Sequence, residues 1–102
     1  MVRARINIPS DQIGAFCREH HIVRLALFGS VLREDFSDES DIDILVEFEP
    51  EHIPGLIRLG GMAEELSDIL GGRSIDLLTP EDISDYFRDD VLCAAEVHYG
   101  PR

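Results

Sequence analysis

Cysteine, cationic side chains and long apolar runs are what this sequence has least of, and each shortage narrows the reading. Two cysteines, Cys17 and Cys93, are too few to staple a small secreted domain and fit a reducing cytosol, so a cytoplasmic protein is expected. Basic residues number 9 against 21 acidic ones, a formal net charge of −12. A surface of that sign repels phosphate backbones, so direct binding of nucleic acid is not expected. It suits a basic protein partner, or a metal ion that recruits an anionic ligand. No apolar run approaches the ~20 residues that cross a bilayer, and no signal-peptide pattern opens the chain, so no membrane association is expected. Internal repeats, low-complexity stretches and Gly/Ser/Pro-rich linkers are also missing. No residue set suggests a Ser/His/Asp or Cys/His nucleophile. His52 and His98 have no partner at ligand spacing, which argues against a zinc site.

What is present is a chain of 102 residues, 44% hydrophobic and 29% charged, the balance of a globular protein rather than a disordered one. That length fits a single domain, 1–102, which buries roughly two-thirds of the surface its unfolded form exposes. Ser10 is a plausible N-cap for a first helix over Pro9–His21, whose Ile13, Phe16 and Cys17 keep i, i+3, i+4 spacing. His20 and His21 end that helix, where a cation favours the dipole, so a capping role is read for them. Val23–Phe28 (VRLALF) reads as a strand closed by Gly29-Ser30. Val31–Asp35 could hold a short helix. Asp41–Phe48 (DIDILVEF) alternates, with Ile42, Ile44, Val46 and Phe48 on one face and Asp41, Asp43, Leu45 and Glu47 on the other.

After a loop marked by Pro50 and Pro54, a helical stripe over Leu56–Leu70 is interrupted by Gly60-Gly61 and stopped by Gly71-Gly72. Ser74–Leu78 (SIDLL) is a short strand. Thr79-Pro80-Glu81-Asp82 is a helix start, and a last helix is expected over about Asp85–Glu96. Strands alternating with helices in the order α-β-(α)-β-α-β-α predict an α/β (α+β) protein, a small mixed β-sheet packed with helices.

The chemistry sits in the acids. Asp41 and Asp43, at i and i+2 on a strand, project from one face with Cα atoms about 6–7 Å apart. Two like charges that close repel unless a cation sits between them, and hard divalent cations take carboxylate oxygens. Asp76, between Ile75 and Leu77, faces away from the core in an equivalent setting. Three carboxylates could hold two ions, the arrangement used for in-line displacement at phosphorus. Gly29 allows close approach of backbone to a phosphate, and Ser30 adds a hydroxyl.

The stretch L-F-G-S-(x10)-S-D-I-D-I, Leu27–Ile44, resembles the signature of the nucleotidyltransferase superfamily related to DNA polymerase β. With the DIDILVEFEP continuation, the later S-I-D-L-L-T-P and the short length, the chain looks like a minimal nucleotidyltransferase. That is the MNT-type antitoxin usually paired with a HEPN-domain toxin. The resemblance runs from about Ile8 to Tyr99. It implies the polymerase β-like fold, triphosphate binding at Gly29 and Ser30, and catalytic Mg²⁺, two ions, held by Asp41 and Asp43. Asp76 would complete the metal site and help activate the acceptor hydroxyl. It further implies transfer of AMP from ATP to a tyrosine of the partner toxin, within a hetero-oligomer. One departure stands out: many relatives carry Arg-x-Arg-Gly after Gly-Ser, whereas this chain has Val31-Leu32-Arg33-Glu34. Arg33 is then either the remaining cation near the phosphates or a surface charge.

Blander readings stand beside these. Asp41, Asp43 and Asp76 could be solvent-facing strand residues of an acidic protein. Cys17 and Cys93 read as core or near-core. A rival function is a non-catalytic antitoxin that neutralises its partner by binding alone.

Overall fold

The computed structural model describes residues 8–29, 41–83, 86, 89, 90 and 95–100. Ser30, Arg33, the short helix at Val31–Asp35, Cys93 and most of the helix expected over Asp85–Glu96 lie outside the described residues.

Helix α1 spans Ser10–Glu19 and buries Ile13, Phe16 and Cys17, as their spacing dictates. Its cap is Pro9 rather than Ser10; the Ile13 amide donates to the Pro9 carbonyl at 3.0 Å. Proline suits this boundary because its fixed φ and missing N–H cost nothing there. Strands β1 (Ile22–Phe28) and β2 (Ile42–Phe48) follow, then one 3₁₀ turn at Pro50–His52. Helix α2 (Leu56–Ile69) runs unbroken through Gly60-Gly61, where an interruption was expected. A side chain at either glycine would meet nothing within 4 Å, so both lie on an open face. Their poor helix propensity, about 1 kcal/mol each, is offset by the packing of Met62, Leu66 and Leu70. Gly71 and Gly72 stop the helix with φ of 87° and 86°, and the Gly72 amide bonds the Ser67 carbonyl at 2.7 Å.

Strand β3 is Ile75–Leu78. Beyond it the Thr79/Asp82 capping box forms as the sequence indicates, with the Thr79 amide and hydroxyl both donating to Asp82 Oδ2 at 3.1 Å. It opens only one 3₁₀ turn, Pro80–Asp82. A fourth strand, β4 (Glu96–Tyr99), was not anticipated, and it takes Glu96 from the expected last helix. The sheet order is β3-β2-β1-β4, with β2–β3 parallel and the other two pairs antiparallel. This is the small mixed sheet with helices that the sequence predicts.

Both helices contribute to one apolar core on a single face of the sheet, together with Leu25, Leu27, Ile42, Ile44 and Val46. Ile75 and Leu77 pack against it from β3, so Asp76 between them turns outward and is exposed. The opposite face is not wholly polar: Leu45, placed there with the acids, is buried and pairs with Ala26, also buried. Further along that face Arg24 and Glu47 form an ion pair across the same two strands.

Burial pushes the Cys17 thiol up from its ordinary 9.0 to about 12, against a smaller lowering by Arg18. The folded thiol therefore keeps its proton to higher pH than the unfolded one. Its contribution to stability is complete below pH 9.0 and lost as pH rises towards about 12. Iodoacetamide at pH 8 should leave Cys17 unmodified in native protein and alkylate it in guanidinium chloride, as read by peptide mass.

Candidate active site

One end of the sheet gathers the acids predicted from sequence. Reading across three neighbouring strands, Phe28 pairs with Asp43 and Asp43 with Asp76. Paired residues share a face, and adjacent strands lie about 4.8 Å apart, so the two aspartates stand side by side. Asp41 sits two residues before Asp43 and shares its side of the strand direction. Asp41 and Asp76 are exposed and Asp43 is half-buried.

Gly29, directly after Phe28, completes the row. It adopts φ 76°, in the left-handed region that glycine enters without strain. A methyl group there would collide with Asp43 Oδ2 and approach Asp43 Cγ at 3.2 Å. The turn thus packs close against the central carboxylate, with no room for a side chain at position 29 unless Asp43 moves. Of the residues named from sequence, Gly29, Asp41, Asp43 and Asp76 are brought together; Ser30 and Arg33 lie outside the described residues.

Three carboxylates at one end of the sheet, two on the row and Asp41 beside it, are a donor set for hard, oxygen-loving divalent cations such as Mg²⁺. Their oxygens do not all lie within 4.8 Å of one another, unlike those of two other clusters in the chain, so sharing an ion requires side-chain rotation. The exposure of Asp41 and Asp76 leaves room for it. Cavities of about 270 and 340 Å³ lie towards the far end of β2, lined in part by His52 and by Phe48 respectively.

Sequence reasoning missed a second set of groups. His52, denied a partner by its spacing, is stacked on His21 and joined by Glu49. Glu49 and His52 lie three residues apart after β2, and the antiparallel pairing of β1 with β2 brings His21 to them.

The comparisons with known proteins bear on what such a sheet belongs to. A family model for the nucleotidyltransferase domain matches residues 10–98. A candidate protein adenylyltransferase of Methanocaldococcus jannaschii is 39% identical over 88 residues, covering 85% of this chain and 90% of its own. Protein adenylyltransferase MntA of Thermococcus cleftensis is 37% identical over 76 residues, or 74% of each chain. Among solved structures, a candidate minimal nucleotidyltransferase superposes with TM-score 0.69 at 29% identity, over 84% of this chain and 85% of that one. A toxin-antitoxin structure with AMP-PNP has TM-score 0.73 at 22% identity, over 91% and 74%. The chain belongs to the nucleotidyltransferase domain family, as the Leu27–Ile44 motif suggested.

Gly29→Ala should destabilise the fold by about 1–2 kcal/mol from left-handed strain alone, or roughly 5–10 °C in Tm for a domain of this size. An unchanged melting temperature would show that position 29 does not need the left-handed conformation in the folded chain.

Proposed function

We propose that this chain is a Mg²⁺-dependent protein adenylyltransferase that serves as an antitoxin. It transfers AMP from ATP to a tyrosine hydroxyl of a HEPN-domain toxin, with which it forms a hetero-oligomer. The observation that carries the reading is the Phe28–Asp43–Asp76 row with Gly29 pressed against Asp43. Relatives named protein adenylyltransferases and the toxin-antitoxin neighbour with AMP-PNP support it.

Asp41, Asp43 and Asp76 would hold Mg²⁺, two ions in this reading, and when bound the metal neutralises phosphate charge and polarises the α-phosphorus. The chain's own residues do the rest. Gly29 lets the backbone approach the triphosphate, and Ser30 and Arg33 bind it from the segment that follows. Asp76 accepts the phenolic proton as the tyrosine oxygen bonds to the α-phosphorus. The bond from that phosphorus to the bridging oxygen breaks, and pyrophosphate leaves. Most of the rate comes from holding the acceptor and phosphate in line.

A second reading, neutralisation by binding alone, draws on the net charge of −12 and on apolar groups at the start of α2. Leu56 and Ile57 are 87% and 95% exposed there, with Ile53 close by in sequence. Such a surface suits contact with a basic partner without chemistry.

Labelled ATP, Mg²⁺ and the toxin, followed by intact mass, separate the two. Asp43→Asn should lower transfer by at least about a hundredfold with an unchanged melting temperature, and EDTA should abolish it. Full transfer by that variant overturns the mechanism. Neutralisation that survives the Asp41→Asn/Asp43→Asn double substitution, with no mass gain on the toxin, establishes the binding reading instead.

A further inference from the structure

We infer that the chain carries a second metal site, made by His21, Glu49 and His52 and selective for a borderline transition ion of the Zn²⁺ type. It lies at the end of the sheet away from the acidic row. His21 precedes β1 and Glu49 follows β2, whereas Gly29 and Asp41 flank the other ends of the same two strands. The length of β1 separates the two places by roughly 20–25 Å.

The geometry is that of a site nearly closed. One ligand atom from each residue falls within 4.8 Å of the other two. His21 Nδ1 lies 3.0 Å from Glu49 Oε2. With bonds of about 2.0–2.1 Å, two ligands on a tetrahedral Zn²⁺ stand about 3.3–3.4 Å apart, so this pair already approximates one edge of the coordination shell. The His21 and His52 rings stack with centroids 3.7 Å apart and planes 9° from parallel. Parallel rings cannot both aim at one ion, so one must tilt out of the stack to bind it, and the exposure of both rings leaves room for that.

The backbone supports the same conclusion. His21 sits just past the α1 terminus with φ 59°, the only positive φ of a non-glycine among the described residues. Glycine would fill that position without strain, whereas a side chain there costs about 1–2 kcal/mol. The Glu49 amide donates to the His21 carbonyl at 3.0 Å, which fixes two of the three ligands to each other. The Pro50–His52 turn then folds the third ligand back over them.

The donor set discriminates between the two ends of the molecule. Two imidazoles and one carboxylate favour zinc and its neighbours, whereas three carboxylates favour magnesium. Three protein ligands leave a position for water. A bound ion would clip the α1–β1 corner to the β2–α2 connection and stabilise the folded chain.

The test uses tag-free, EDTA-treated full-length chain titrated with Zn²⁺, with Co²⁺ absorption as a report of coordination. One equivalent should bind, raise the melting temperature and, as Co²⁺, give the intense visible bands of a tetrahedral site. His52→Ala and Glu49→Gln should each weaken Zn²⁺ binding at least about tenfold and remove the thermal gain, while Asp41→Asn/Asp43→Asn should retain both. Because neither His52 nor Glu49 lies in the core, their variants should fold, and circular dichroism checks this. Failure to bind Zn²⁺, or binding lost in the aspartate variant but not in His52→Ala, overturns the assignment. So does binding lost on Glu65→Gln instead, which would move the ion to the adjoining Glu19, His20 and Glu65.

Discussion

Strand register is the constraint on which everything else in this molecule depends. The alternation Ile42, Ile44, Val46 faces the helices, so β2 can dock in one phase only; a slip of one residue would bury Asp43 and expose Ile44. With β2 fixed, antiparallel pairing delivers Phe28 and Gly29 to one side of Asp43, and parallel pairing delivers Asp76 to the other. The acids are therefore placed by hydrophobic burial, not by attraction to one another. Like charges are tolerated on the row because the energy that assembles it is gained on the opposite face of the sheet.

The same two strands organise both ends of the sheet, with different chemistry at each. Oxygen donors collect where β1 ends and β2 begins; imidazole and carboxylate collect where β1 begins and β2 ends. Between them the outward face passes through the buried Ala26–Leu45 pair and the Arg24–Glu47 ion pair. The proposed function draws on the first end and makes no use of the second.

Much of this was legible in the sequence, and the limits have physical causes. Period-two alternation in Asp41–Phe48 and the Ile75-Asp76-Leu77 triplet reveal their faces because each signal is local. The Leu27–Ile44 motif revealed the family for the same reason. Strand β4 was missed because Glu96–Tyr99 is short and without an apolar run; its identity as a strand comes from pairing with β1, a partner about seventy residues earlier. The break expected at Gly60-Gly61 did not occur because tertiary packing of Met62 and Leu66 outweighs local propensity. The His21–Glu49–His52 cluster was invisible because 28 residues separate the first two members. Spacing rules for ligands describe loops and helices, not groups united by a hairpin-like pairing.

The bare apolar tip at Leu56 and Ile57 has a colloidal consequence. In dilute buffer, a molecule bearing a net charge of −12 keeps its copies too far apart for such tips to meet. Added electrolyte shortens the reach of that repulsion to within about 10 Å while leaving the attraction between aliphatic surfaces intact. Raising the ionic strength therefore removes a barrier to contact between such tips.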